Sequence, residues 1–321
     1  MEGGRPGGRR ASYIPAVKSR GVALRVLVTG STGLLGRALC QDLDGRGHEV
    51  WTLDRRASGP RSLVWTQDAG SLARLLPAEL GAVVHLAGAP IATWPWTSAT
   101  KQVLWDSRVG STGRLAQALA SLARNDGGRP LLISGSAVGI YPSGWPAVDE
   151  DGPVNAESFM GQLCLAWEGA TEAARDAGLR VAILRTGLVL DPAGGLLAKL
   201  LPVWKAGLGG CLGPRDTPWS WIHREDWLGA VRFILEEGLD GPFNLCAPQP
   251  LPQAEALRCL GRVLRRPGVC HVPAFLLKLG GEMAREVLLQ APAARPRRLL
   301  EAGFTFRHGE LEQALIHLLK V

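Results

Sequence analysis

The residues best placed to do chemistry in this 321-residue chain begin with Gly30-Ser31-Thr32-Gly33-Leu34-Leu35-Gly36, a GxxGxxG pattern. It follows the apolar run Leu24-Arg25-Val26-Leu27-Val28-Thr29 directly and opens a helical pattern. Glycines in that context let a chain turn tightly and let a pyrophosphate approach the backbone, while the helix start offers unpaired N–H groups and a positive dipole end. The chemistry implied is dinucleotide binding. Asp54 comes 18 positions after Gly36. A carboxylate there can accept both ribose hydroxyls, which suits NAD. Arg55 and Arg56 come next, and a guanidinium can clamp a 2′-phosphate, which suits NADP. The two signals oppose each other, and both readings stay open on local grounds.

A second group of candidates could handle protons. Tyr141 lies in a predicted loop, where it can donate a proton or pack beside Pro142. His223 and Asp226 form HxxD at a predicted helix start. His223 has the intrinsic pKa of a general acid; the competing reading is a hydrogen-bonded core histidine above an aspartate that caps the helix. Trp94, Trp96, Trp219 and Trp221 fall in loops near the expected cleft, able to stack on a ligand or to wall the pocket. The six histidines show no HxxxH or HExxH spacing and the six cysteines no CxxC pair, so no metal site is expected.

The elements that must hold these residues read as follows. Apolar strands are predicted at 24–29, 49–53, 82–87, 130–134 and 181–185. A helix runs from the glycine turn to about Arg46. A longer one spans 97–124, bent around Gly110 and Gly113, and another covers 157–177, where Leu163, Trp167, Ala170 and Ala174 form one stripe. Alternating strands and helices imply an α/β fold: a Rossmann-type doubly wound parallel sheet. After Leu190 the rhythm changes, so the chain divides into a basic tail at 1–23, a dinucleotide-binding domain at 24–190 and a smaller C-terminal substrate lobe at 191–321, interleaved with the end of the sheet. Leu311, Ala314, Leu315, Leu318 and Leu319 make a closing amphipathic helix.

Composition narrows the function classes. The net charge is +7, but residues 1–24 supply four of those charges. The body has no dense basic run, so nucleic-acid binding is not expected. No run approaches the roughly 18 apolar residues of a membrane span. The tail lacks the apolar core of a secretory signal, and unpaired cysteines fit reduced thiols, so the expected compartment is the cytoplasm.

Together these residues resemble the extended short-chain dehydrogenase/reductase superfamily. Val84-His85-Leu86-Ala87-Gly88 resembles its strand-four motif. Ser107-Arg108 with Thr112, Ser134-Gly135-Ser136-Ala137-Val138-Gly139, Arg185-Thr186-Gly187, Trp221-Ile222-His223 with Asp226, and Asn244-Leu245-Cys246-Ala247-Pro248 narrow the likeness to one atypical branch. These are epimerase-like proteins, also called nucleoside-diphosphate-sugar epimerases, with a C-terminal extension that Pro296-Arg297-Arg298-Leu299 and Ala302-Gly303-Phe304 resemble. The resemblance implies NADP as cofactor, with NAD possible because Asp54 replaces the usual small hydroxyl residue. It places Asp54 and Arg55 at the adenosine end, Leu86, Ala87 and Gly88 along the strand edge, and Arg108 and Val189 against the cofactor. It implies an oxidoreductase or epimerase acting on a small polar substrate, such as a nucleotide sugar. It also implies that Ser136 sits where a substrate-orienting hydroxyl belongs. The superfamily's Tyr–Lys pair, YxxxK, is missing: Met160 and Cys164 stand in its two positions. Any turnover must then draw on Ser136, Tyr141 or His223. The alternative is a cofactor-binding sensor or scaffold without turnover.

Overall fold

A computed structural model of the chain describes residues 22–125, 129–268, 270–279 and 281–320. Nearly all of the tail expected at 1–23 lies outside the described residues. Seven parallel strands form the central sheet: β1 (Arg25–Thr29), β2 (Glu49–Asp54), β3 (Ser62–Val64), β4 (Ala82–His85), β5 (Leu131–Ala137), β6 (Val181–Thr186) and β7 (Gly241–Leu245). Their order is β7-β6-β5-β4-β1-β2-β3, which is doubly wound about β1.

The alternation along β1 explains both faces. Val26 and Val28 enter one buried cluster with Leu39 and Leu43 of α1 (Leu34–Asp44). Leu27 points the other way, into a cluster with Leu72 of α2 (Ala69–Leu75) and with Leu115 and Leu119 beyond it. Helices cover both faces, so the strands are apolar throughout. The long helix expected at 97–124 is interrupted, as its glycines implied. It consists of α3 (Ser98–Trp105), one wide π-type turn at Asp106–Gly110, and α4 (Ser111–Asn125). The stripe at 157–177 likewise splits, into α5 (Phe159–Gly169) and α6 (Glu172–Asp176).

After β6 a third buried cluster gathers Leu197 and Trp204 of α7 (Gly195–Lys205), Leu257 and Leu260, and Leu311 and Leu315 of the C-terminal helix Leu311–Leu319. This cluster is separate from the two that flank the sheet. The chain does not stay in it: α8 (Arg224–Glu237) packs on the sheet through Trp227 and Val231, and β7 joins the sheet edge. Among the described residues no helix is long and apolar enough to cross a membrane. All six cysteines are free thiols.

Candidate functional site

The glycine turn is shaped by contacts that no side chain would fit. Gly30 has φ +71°, and a Cβ there would lie 2.8 Å from the Leu86 carbonyl and 2.9 Å from Ala87 N. A Cβ on Gly36 would lie 2.1 Å from Gly30 O, so α1 packs directly on the turn. Gly33 caps α1 without a side-chain hydrogen bond, which leaves first-turn N–H groups for an outside acceptor. Ser31 and Leu35 are half-buried; Thr32, Gly33 and Leu34 are exposed at the lip. β4 ends at His85, two residues before the predicted limit. There Leu86 N donates to Thr29 O and Ala87 N to Thr29 Oγ1 (3.1 Å), drawing the chain across the end of β1.

The two cofactor-choice signals are separated in space. The Asp54 carboxylate is buried at the end of β2 and accepts a hydrogen bond from the Ser31 hydroxyl. Arg55 and Arg56 are exposed just beyond it. Arg108 Nη2 donates to Ala89 O (2.9 Å), and its guanidinium lies against Gly88 and over the Trp167 ring, 5.3 Å from the centroid. Val189 lies beyond β6 in a short strand, Leu188–Leu190, that pairs with Trp221–His223.

Two of the proton-handling candidates, Ser136 and Tyr141, join one buried network, and His223 lies apart from both. Ser136 Oγ donates to Glu168 Oε1 (2.7 Å). Glu168 is held in turn by Arg185, whose Nε and Nη2 each donate to it at 2.9 Å. Arg185 Nη1 donates to the Tyr141 hydroxyl (2.8 Å) and to Glu150 O, and Tyr141 donates to Asn244 Oδ1 (2.8 Å). Burial lowers the Arg185 pKa, but the Glu168 carboxylate more than offsets it and the guanidinium stays charged. Burial pushes the Tyr141 phenol up to about 12, the wrong direction for exchanging protons near neutrality. Tyr141 is therefore a buried link between β5 and β7, not a loop residue facing a ligand.

His223 is elsewhere. Its Nδ1 accepts from Glu225 N (2.9 Å), capping α8, and its Nε2 lies 3.1 Å from His317 Nδ1. Its ring stacks on His308 at 3.9 Å. Burial, with His308 beside it, lowers its pKa to about 4. Asp226 does not cap the helix by itself; its carboxylate accepts from the backbone N–H groups of Arg307 and His308.

A cavity of about 190 Å³ opens past the ends of β5 and β6. Val138, Met160, Leu188, Leu196, Leu212 and Trp219 line much of it. Among the described residues its single ionisable lining residue is Glu286, whose carboxylate accepts from Phe159 N (3.2 Å) and Met160 N (2.9 Å) at the start of α5. Ser136, Tyr141 and His223 do not line it. Cys164 is buried below Met160, its thiol pushed up to about 12 by desolvation. Of the four tryptophans, only Trp219 reaches the cavity; Trp94 is exposed, Trp96 packs on Phe159, and Trp221 is core.

Sequence reasoning missed Glu168, Glu150, Glu286, His308 and His317 as members of these clusters. One signal was present: an arginine ending the apolar run Val181-Ala182-Ile183-Leu184 must find a buried anion.

The comparisons agree with this architecture. A profile described as the NAD dependent epimerase/dehydratase family matches residues 26–246, and a domain of unknown function, DUF1731, matches 272–318. The epimerase family protein Mb2239 of Mycobacterium bovis is 38% identical over 293 residues, covering 90% of this chain and 96% of that one. The chloroplastic epimerase family protein SDR39U1 homolog of Arabidopsis thaliana is 32% identical, covering 97% of this chain and 90% of its own. The crystal structure of human epimerase family protein SDR39U1 (isoform 2) with NADPH superposes with a TM-score of 0.83 at 31% identity, over 92% of this chain and 99% of that one. The chain belongs to the NAD-dependent epimerase/dehydratase family, in its SDR39U1-like branch with the C-terminal extension.

Proposed function

We propose that the chain binds NADP(H) across the carboxyl edge of its sheet and holds a small, neutral molecule in the adjoining cavity, where the described lining offers no tyrosine, histidine, cysteine or lysine to donate a proton. The observation that carries this reading is the contrast between the open glycine turn and the cavity lining. The turn fits the cofactor: at Gly30 and Gly36 any Cβ would clash, and α1 starts with no side-chain cap. A pyrophosphate at that helix start supplies the missing acceptor. Asp54 is already engaged by Ser31, and Arg55 and Arg56 are exposed beside it, which favours a 2′-phosphate over free ribose hydroxyls. The human relative crystallised with NADPH supports the same choice. Arg108, Gly88 and Val189 border the path onward from the turn.

When bound, the nicotinamide supplies or accepts a hydride. What this chain contributes is binding and orientation against the apolar side chains of Val138, Met160, Leu188 and Trp219. The accompanying proton comes from solvent, because Glu286 is committed to backbone N–H groups and the phenol and thiol candidates are buried. A nucleotide sugar fits poorly, because the described residues of the lining include no lysine or arginine to meet its two phosphates.

The second reading, a sensor that binds NADPH without turnover, is favoured by the same lack of a donor. Purified protein incubated with NADPH and a panel of neutral carbonyl compounds and nucleotide sugars separates the two. Consumption of NADPH with a neutral carbonyl supports the first reading. Tight NADPH binding with no consumption favours the sensor. Rapid turnover of a nucleotide sugar contradicts both.

A further inference from the structure

Three histidines that the sequence separates meet just below the surface, His223 buried and His317 exposed. His223 starts α8, while His308 and His317 come from the C-terminal segment. With Glu225 they form a group in which one ligand atom from each residue lies within 4.8 Å of the others. Two of these separations are already those of neighbouring ligands. His223 Nε2 to His317 Nδ1 is 3.1 Å, and His308 Nε2 to Glu225 Oε2 is 3.4 Å. Around a tetrahedral zinc with bonds of ~2.0–2.1 Å, ligand atoms sit about 3.3 Å apart. To hold one ion the two pairs must close toward each other and the rings must swing out of their stack, in which His308 lies 3.9 Å from His223 and 4.4 Å from His317. Glu225 and His317 can move to do so, because His317 is exposed and the Glu225 side chain is 40% exposed. Glu225 also borders a surface cleft of about 660 Å³ between α1 and α8, which gives an ion a way in. His308 is positioned from behind: Asp226 accepts from His308 N (2.9 Å) and Arg307 N (2.8 Å), fixing the loop that carries the ring.

The geometry points to a binding site for a divalent transition-metal ion of the zinc class, held by His223, His308, His317 and Glu225. The ligand chemistry is three imidazoles and one carboxylate, which suits zinc, nickel or copper over calcium or magnesium. Binding through His223 Nε2 requires that ring to carry its proton on Nδ1. The ring then gives up the N–H···Nδ1 cap from Glu225, a loss small beside the affinity of such a donor set. The consequence is structural: the ion ties the C-terminal segment to the start of α8, away from the cavity.

The test uses the untagged full chain, cleared of metal with chelator, titrated with Zn²⁺ by calorimetry and with Co²⁺ by absorption. One ion per chain is expected, and the Co²⁺ complex should show d–d bands without the charge-transfer band of a thiolate. His308→Phe and His317→Gln should each weaken Zn²⁺ on the order of tenfold or more, as loss of a metal-site partner does, while metal-free melting temperatures stay near wild type. Absence of binding at millimolar Zn²⁺, a thiolate band, or unchanged affinity in the double variant would overturn the assignment. Should the double variant fail to fold, the wild-type Co²⁺ spectrum decides between imidazole and cysteine ligation.

Discussion

The two ends of the carboxyl edge treat their polar groups in opposite ways. At the glycine turn the backbone is left open: no side chain caps α1, and Arg55 and Arg56 point to solvent. At the ends of β5 and β6 the side chains close on one another, from Ser136 through Glu168, Arg185 and Tyr141 to Asn244. An open donor set waits for a ligand. A closed one holds a fold together, and its members are poorly suited to give or take protons during a reaction. The difference teaches that a hydroxyl and a phenol at the expected strand ends are not enough to mark a catalytic pair; what matters is whether their bonds are already used.

The largest effect should come from breaking the closed end. Glu168→Ala strips a buried guanidinium of its two-point partner, and removing one member of a buried pair costs roughly 3–5 kcal/mol. Chemical denaturation should show a stability loss of that size. The open end breaks differently. Gly33→Asp places a carboxylate at the proposed pyrophosphate site, so NADPH affinity should fall on the order of a hundredfold, about 2.8 kcal/mol. Gly33 has an ordinary negative φ and a Cβ there would meet only Gly30 O, at 3.3 Å, so the melting temperature should stay close to wild type.

Smaller changes sharpen the contrast. Tyr141→Phe leaves Asn244 Oδ1 without the donor it had and should cost about 1–3 kcal/mol, with no change in cofactor affinity by calorimetry. In chelator, stability should fall with acid. Burial depresses His223 from 6.5 to about 4 and His85 to about 3. Between those values and 6.5 the unfolded chain binds protons that the folded one refuses, so stability is lost as pH drops through that window. Urea midpoints across pH 7 to 4 measure it, and His223→Asn should flatten the upper part of the curve. The smallest effect is at Arg55: Arg55→Ala should weaken NADPH several-fold and leave NADH unchanged, as titration with both dinucleotides would show.

The sequence made the open end legible because it is built from backbone and neighbours in sequence. A strand, three glycines and an aspartate within thirty residues define it. The main strands and their doubly wound parallel class followed from apolar runs alternating with helical patterns, but the order of the strands in the sheet did not. β3 has three residues and β7 begins Gly-Pro, so neither carries a strand pattern of its own. The closed end was not legible because its partners come from distant segments: Tyr141 and Asn244 are 103 positions apart. The same holds for the histidines, since His223 and His317 are separated by 94 residues. Local spacing rules that find metal ligands one turn apart cannot see them.

The central claim is that the glycine turn is the cofactor site, whereas the network from Ser136 to Asn244, beside the cavity but not lining it, is a structural lock. NADPH titration by calorimetry into Gly33→Asp and Tyr141→Phe, side by side with the wild-type protein, tests it most directly. The account predicts that Gly33→Asp loses most of its affinity while melting normally, and that Tyr141→Phe binds like wild type while melting lower. Wild-type affinity in Gly33→Asp, or a collapse of affinity in a stably folded Tyr141→Phe, would contradict it.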